Sequence, residues 1–453
     1  MLNNTTYIVG LGKTGWSCLE YLNAKALPLK VFDTRTEPPQ LAALKHNYPH
    51  IPYQLGPLAA QDLLNASQIV CSPGVDLQLP ALVAAANAKI PIIGDIELFA
   101  QSSQRPLVAV TGSNGKSTVV SLVAEMLKVA AVSAGVGGNL GEPALNLLAQ
   151  EAKVQWQILE LSSFQLATTF SLQPKIAALL NITPDHLDRH QDLATYQAIK
   201  QRIYHNAQTV IFNRQDARTF PMANSAQQQL SFGLDAPVFP HFGLRTEQGR
   251  VWLCQGQQLL VPQASLALQA PHNVLNSLCA LAIGLQMGLP QFALQQALAQ
   301  FKGLAHRCQW VGTWQGISWI NDSKATNIGA CIAALYSIGH QVSGKIILIA
   351  GGQGKGVDFS ALQLAVSTQV KQLLVIGEAG PLLSKVFAQY VPVLQLPSLE
   401  AAIIAANDVA TTGDAVLLSP ACSSLDQYPN YRVRGQEFIE RVTQLKQGQT
   451  NAS

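Results

Sequence analysis

Val108-Ala109-Val110-Thr111-Gly112-Ser113-Asn114-Gly115-Lys116-Ser117-Thr118 carries an apolar strand into a glycine-rich turn and then into a Lys-Ser-Thr helix start. The spacing predicts a phosphate-binding loop. Backbone N–H groups of Gly112, Ser113, Asn114 and Gly115 cradle phosphates, Lys116 reaches the terminal ones, and a hydroxyl of Ser117 or Thr118 meets Mg²⁺. The residue five before Gly115 is Val110, where the long form of the motif has glycine, so only the GxxGKST core is present. An ATP or GTP site is expected here.

Outward from this loop, short apolar runs ending in turn residues alternate with stretches of helical spacing. They include Tyr7–Val9, Val31–Phe32, Ile69–Val70, Ile158–Leu159, Ala177–Leu180, Ile346–Ile349 and Leu373–Ile376. Runs without polar alternation predict parallel sheets covered on both faces, with ligands at the strand carboxyl ends. The class is α/β, and 453 residues suit three domains. We expect a Rossmann-like N-terminal domain over 1–98, a central P-loop-type ATPase domain with a mostly parallel sheet over 99–303, and a Rossmann-like C-terminal domain over 304–453. The polar patch Gln101–Pro106 and the helical stretch Gln291–Phe301 mark the two boundaries. Ser225–Pro262, rich in Gln, Gly and Pro, reads as a small β insertion.

Lys plus Arg number 29 against 26 Asp plus Glu, a net charge of +3 with only 12% charged residues and 48% hydrophobic ones. That balance excludes charge-driven disorder and a protein that coats nucleic acid, so an anionic ligand must meet a few placed cations. Seven scattered cysteines without a CxxC read as reduced thiols in a cytosolic protein. The start MLNNTTYIVG lacks a basic region before an apolar core, so no secretory signal is expected. The apolar stretch Val119–Val136 is broken by Glu125 and Lys128, so no membrane span is expected either.

Three further elements bear chemistry. Gly10-Leu11-Gly12-Lys13-Thr14-Gly15 follows a strand and opens a helix, with Asp33-Thr34-Arg35 after the next strand. The pattern fits a diphosphate at a helix start, and NAD, another nucleotide or a plain tight turn all satisfy it. Glu160 sits in the apolar strand Trp156–Leu161, a costly place for a carboxylate unless it meets the nucleotide's Mg²⁺ or a solvated strand end. Asn181–His190, NITPDHLDRH, holds His186 and His190 four apart, which admits a zinc site, a surface pair or a polar loop near the phosphates. Lys200 lies among Tyr196, Ile199 and Ile203, and spacing alone makes it a surface lysine with a buried stem. In the last third, Arg307, Asp322–Asn327 (DSKATN) and Gly351–Gly356 (GGQGKG) are weak signals singly; together with the P-loop they suggest two substrates and a nucleotide.

These strings, in order, resemble the Mur ligase family, ATP-dependent amide ligases of peptidoglycan synthesis. The resemblance rests on TGSNGKST, LELSSFQL, NITPDHLDRH, HNVLNSLCAL (His272–Leu281), His306-Arg307, DSKATN and GGQGKGVDFS. GLGKTG, DTR, SPGV (Ser72–Val75) and SPACSSLDQYPNYRVRGQEF (Ser419–Phe438) are similar to the D-glutamate-adding members. The resemblance implies that Leu11, Lys13, Thr14, Thr34, Arg35 and Gly74 surround the uridine diphosphate of the acceptor, with Asn139 and His186 nearer its reacting end. It implies that Lys116 binds the ATP β/γ-phosphates, that Ser117, Glu160 and His186 hold magnesium (two ions), and that Lys200 is the position the family carbamylates. Asn273, Arg307, Asp322 and Lys324 then complete the ATP site, and Thr326, Lys355, Ser424, Leu425 and Tyr431 bind D-glutamate. Lys116, Glu160, His186 and Lys200 are the implied catalytic set.

The implied chemistry is phosphoryl transfer from ATP to the L-alanyl carboxylate, attack of the D-glutamate amine on the acyl phosphate, and release of phosphate. Closure of the third domain would exclude water. Small-molecule substrates, a monomer in the cytoplasm, and no nucleic-acid partner are expected. A family member using another amino acid or folate, a nicotinamide oxidoreductase and a non-catalytic nucleotide-binding regulator are the rival readings.

Overall fold

A computed structural model describes residues 4–139, 141–221, 227–354 and 357–450. Its contacts divide the chain into two compact units: residues 1–182, 194–269 and 273–301 form one, and 183–193, 270–272 and 302–453 form the other.

The first unit contains two sheets. The N-terminal sheet is built from β1 (Thr6–Val9), β2 (Leu29–Asp33), β3 (Tyr53–Leu55), β4 (Gln68–Cys71) and β5 (Ile92–Ile93), all parallel in the order β3-β2-β1-β4-β5. The order reverses between β1 and β4, so the loops leaving them diverge and open a crevice at their carboxyl ends. Gly15 is required there, because a Cβ would fall 1.7 Å from the Gly10 carbonyl oxygen.

The second sheet runs β14-β13-β12-β11-β10-β9-β6-β8-β7. Its strands are β6 (Leu107–Thr111), β7 (Ala134–Gly138), β8 (Trp156–Glu160), β9 (Ile176–Leu179), β10 (Thr209–Asn213), β11 (Gln228–Phe232), β12 (Phe242–Glu247), β13 (Arg250–Gln255) and β14 (Gln258–Pro262). β6, flanked by β8 and β9, delivers the phosphate-loop sequence, and its Val108 and Val110 pack with Val119 and Val123 of the following helix Lys116–Val129. The Gln-rich region expected as an insertion is instead the edge of this sheet. β11 pairs parallel with both β10 and β12, and the β12–β13 and β13–β14 pairs are antiparallel. Its apolar residues Leu230, Phe232, Phe242, Leu253 and Leu260 are buried in the same core as Val108, so the edge extends that core.

A polar joint ties the two sheets. Gly94 N–H donates to Thr168 O (3.0 Å), and Gln165 Nε2 donates to Asp95 Oδ2 (3.0 Å). Glu97 Oε2 accepts from the backbone N–H of Phe170 (2.6 Å) and Ser171 (2.9 Å). Burial opposes the Glu97 charge, but these bonds and the Ser171 hydroxyl outweigh it and hold the carboxyl below its ordinary range. Asp95 has fewer donors. Burial pushes its carboxyl up to about 6, and its Oδ1 has no hydrogen-bond partner among the described residues.

The second unit carries the sheet β15-β16-β20-β17-β18-β19, from β15 (Gln309–Trp314), β16 (Ile317–Asn321), β17 (Ile346–Gly351), β18 (Val370–Ile376), β19 (Val393–Gln395) and β20 (Ala415–Leu418). Only the β15–β16 pair is antiparallel. β16, β20 and β17 are neighbours, so the loops leaving their carboxyl ends start side by side although they are far apart in sequence. No helix among the described residues is long and apolar enough to cross a membrane.

Asp95 yields a stability prediction. Its folded pKa lies above the unfolded value, so its charged form is disfavoured by folding and stability falls as pH rises from about 4 to about 6. Asp95→Asn should therefore stabilise the protein near pH 8, by at most about 3 kcal/mol, and lose that advantage near pH 4. Urea unfolding at both pH values checks this; equal effects at the two would refute the assignment.

Candidate active site

The turn after β6 is braced from two sides. Ser113 N–H donates to Asn181 O (2.9 Å), Asn114 N–H to Asn181 Oδ1 (2.8 Å), and Asn181 Nδ2 returns a bond to Asn114 O (3.1 Å). Gly115, at φ +84°, sits in the left-handed region, and a Cβ there would also lie 2.4 Å from Asn276 Oδ1. The Asn276 amide in turn reaches Asn273 Oδ1 (3.4 Å), which brings the expected Asn273 to the same turn. Ser117 and Thr118 are buried at the helix start.

Two cations converge on this turn. Lys116 Nζ donates to Gly112 O (2.7 Å) and Ser113 O (2.9 Å), and Lys200 Nζ donates to the same Gly112 O (2.9 Å). Lys200 is 1% exposed, its ammonium 4.8 Å from the Tyr196 ring centre, while the Tyr196 hydroxyl meets Ser113 Oγ (3.1 Å). The surface position that spacing alone suggested for Lys200 is therefore wrong. Its helix, Leu193–Gln201, turns Tyr196 and Lys200 together under the loop, a tertiary arrangement that the local pattern does not encode.

Glu160 ends β8, in register with Val110 of β6, and is 2% exposed, which removes the solvated-end reading. Its Oε1 accepts from Asn139 Nδ2 (2.6 Å), while Oε2 is buried with no hydrogen-bond partner among the described residues. An orphaned, desolvated carboxylate oxygen one strand from a phosphate loop fits a hard divalent cation. Among the described residues no three His, Cys, Asp or Glu side chains cluster as a metal cage. His186 and His190 do not share a regular helix face. His186 is left-handed (φ 56°) and precedes a four-residue helix, which disfavours the zinc reading.

The crevice of the N-terminal sheet is a cleft of about 530 Å³ lined by Gly10, Lys13, Thr14, Thr34, Arg35 and Gly74, among others. Leu11 is buried beneath it and donates its N–H to Asp33 Oδ2 (2.6 Å). Arg35 also holds Asp33, through Nε (2.9 Å) and Nη2 (2.7 Å). Burial would raise the Asp33 carboxyl, but these bonds lower it. The carboxylate that would grip a nicotinamide cofactor's ribose is thus already committed, against the oxidoreductase reading. Lys13 Nζ donates to Gly141 O (2.8 Å), and Asn139, two residues away, holds Glu160. Gly141 thus meets the cleft lysine and Asn139 the orphaned carboxylate.

In the second unit, Asp322 follows β16 and is buried, accepting from Ser419 Oγ (2.8 Å) and Cys308 N–H (3.1 Å). Burial pushes its carboxyl up to about 6 despite those bonds. Lys324 Nζ stands 4.2 Å from the Tyr431 ring centre, so the tyrosine ring seats a cation, while its carbonyl accepts from Ser323 Oγ (2.8 Å). Ser424 is buried and Leu425 exposed in the loop after β20; Thr326 and Arg307 are partly buried. Lys355 lies outside the described residues. Asn327 Nδ2 donates to Asp185 Oδ2 (3.1 Å) while its Oδ1 caps the helix Ile328–Gly339 through Ala330 N–H. That bond anchors the loop carrying His186.

Sequence reading assigned no role to Asn181, Asn276, Asn327 or Arg434. All four lie inside the quoted strings, but nothing in their local pattern sets them apart from the other polar residues there.

Family models match most of the chain: Mur ligase MurD-like, N-terminal domain, over 4–94; Mur ligase middle domain, over 110–284; and Mur ligase, glutamate ligase domain, over 306–422. The chain belongs to the Mur ligase family and is an enzyme of the ligase class. The UDP-N-acetylmuramoylalanine--D-glutamate ligase of Pseudomonas aeruginosa is 45% identical over 97% of both chains. That of Legionella pneumophila (strain Lens) is 44% identical over 98% of this chain and 100% of its own. The solved UDP-N-acetylmuramate-alanine ligase of Thermotoga maritima shares the fold, with a TM-score of 0.61 at 18% identity over 97% of this chain and 99% of its own.

Replacing Asn327 by Ala removes a helix cap and leaves Asp185 without that donor. Asn327→Ala should cost about 1–2 kcal/mol, and Asn327→Ser, which keeps the cap, less. Equal stability of wild type and both variants in urea would refute the anchoring role.

Proposed function

We propose that the enzyme uses ATP to join D-glutamate to UDP-N-acetylmuramoyl-L-alanine, giving ADP and phosphate through an acyl phosphate. The full-length similarity to D-glutamate ligases supports the choice of amino acid. The geometric observation that carries the reading is the convergence of Lys116 and Lys200 on one carbonyl of a phosphate loop, with the orphaned Glu160 oxygen on the adjacent strand.

A carboxylate resists amines because its leaving group would be oxide. In this reading ATP transfers its γ-phosphoryl group to the L-alanyl carboxylate, the D-glutamate amine attacks the carbonyl, and phosphate departs from the tetrahedral intermediate. Gly112–Thr118 cradle the ATP phosphates, and Lys116 leaves its loop carbonyls for the transferring group. Asn273, Arg307, Asp322 and Lys324 complete the nucleotide site. Leu11, Lys13, Thr14, Thr34, Arg35 and Gly74 serve the uridine diphosphate, with Asn139 and His186 toward the reacting carboxylate. Thr326, Lys355, Ser424, Leu425 and Tyr431 serve D-glutamate. Positioning and charge neutralisation supply the rate, without a covalent enzyme intermediate.

Ser117, Glu160, His186 and Lys200, the last as a carbamate, would hold two magnesium ions, whose chemistry is to neutralise phosphate charge. The charge pattern supports the carbamate. Two ammonium groups bonded to one carbonyl repel each other, and carboxylation of Lys200 turns that repulsion into attraction. Seven free cysteines, six of them buried, support a cytoplasmic enzyme, which we take to act as a monomer.

ADP release measured with D-glutamate, L-alanine, L-lysine and diaminopimelate, each with its matched acceptor, tests the reading; no preference for D-glutamate would end it. Lys116→Ala should lower turnover on the order of 10²-fold, and unchanged turnover would remove the P-loop assignment. Chelation should abolish ADP release and added Mg²⁺ restore it. Intact mass and bicarbonate-dependent turnover report on Lys200.

A further inference from the structure

Arg434 lies in the first turn of the helix Tyr431–Thr450, yet it is 1% exposed. A guanidinium has five N–H donors, and here each has an acceptor. Nε donates to Ser323 Oγ (3.0 Å), Nη1 to Gly351 O (3.4 Å) and Ser423 O (3.5 Å), and Nη2 to Ser323 O (3.0 Å) and Cys422 O (3.2 Å). These acceptors begin the loops that leave β16, β17 and β20, so one side chain spans the carboxyl ends of three adjacent strands.

Every acceptor is neutral. Among the described residues Arg434 forms no ion pair; Asp426 and the Tyr428 hydroxyl act on it only through space. Burial pushes its pKa down to about 10, so it remains a cation at neutral pH. A buried charge without a carboxylate partner is costly, and carbonyl dipoles offset that cost only in part. The peptide carbonyl of Ser423 is turned inward toward the guanidinium, so the following N–H, that of Ser424, faces the opposite way. Two of these loops, those after β16 and β20, carry Thr326 and Ser424, to which the proposed reading gives D-glutamate.

We propose that Arg434 is a positioning and specificity residue for the amino-acid substrate: it fixes the three loops, and its buried charge favours a substrate with a second carboxylate. The inference rests on the D-glutamate reading. D-Glutamine, which has an amide where D-glutamate has its side-chain carboxylate, is the matching probe.

The experiment compares full-length wild type, Arg434→Met and Arg434→Lys at saturating ATP and acceptor, with each variant's folding monitored by thermal unfolding. Arg434→Met is expected to raise the D-glutamate KM by about tenfold and to reduce the preference for D-glutamate over D-glutamine. Arg434→Lys, with the charge but fewer donors, is expected to keep that preference at lower kcat. A folded Arg434→Met with wild-type KM and preference overturns the proposal. Equal losses toward D-glutamate and D-glutamine in both variants overturn it too, since they mark simple loop collapse. Should Arg434→Met not fold, Arg434→Lys decides, and loss of preference there is a refutation. A wild type lacking D-glutamate-dependent ADP release overturns the functional reading itself, and this proposal with it.

Discussion

Two ammonium groups on one backbone oxygen, that of Gly112, form the electrostatic knot around which the first unit is arranged. Two like charges on one acceptor repel each other, an arrangement that suits the anionic ligand proposed above. The surroundings are consistent with that. β6 supplies the turn, Asn181 locks its backbone, the helix Leu193–Gln201 presents Lys200 from below, and β8 brings Glu160 alongside. No hydrocarbon packing could hold these charges together. The rigid apolar core of Val108, Val110, Val119 and Val123 fixes the scaffold that does.

A similar economy governs the other polar sites. Asp33 is saturated by Leu11 and Arg35, so the dinucleotide-like turn of the N-terminal sheet is specialised away from a ribose grip while its glycines still permit close phosphate approach. In the second unit, Asp322 and Arg434 are both buried at strand carboxyl ends, each satisfied by neutral partners rather than by the other. Charges kept apart in this way remain able to act on a ligand, whereas a mutual ion pair would cancel them.

Much of the fold was legible because parallel strands buried on both faces must be apolar throughout. Tyr7–Val9, Ile158–Leu159 and Ile346–Ile349 announced themselves for that reason. The β character of the region expected as a small β insertion was legible, but not that β11–β14 extend the central sheet, because edge strands tolerate polar and glycine residues and only their buried apolar positions join them to the core. The two glycine-rich turns were legible for a different reason: tight strand-to-helix turns place glycine at fixed offsets. Lys200, Asn181 and Arg434 carry no such local mark, because their partners are tens to more than a hundred residues away along the chain.

Taken alone, the sequence determined the α/β class and the family and located the two glycine-rich turns, because each is written in contiguous residues whose spacing is set by backbone geometry. The tertiary structure alone decided that Lys200 is buried, that Glu160 keeps one oxygen without a partner, that Asp33 is already occupied, and that one arginine spans three loops. Burial and hydrogen-bond satisfaction depend on which distant segments are packed together, and strand order, not sequence order, sets that.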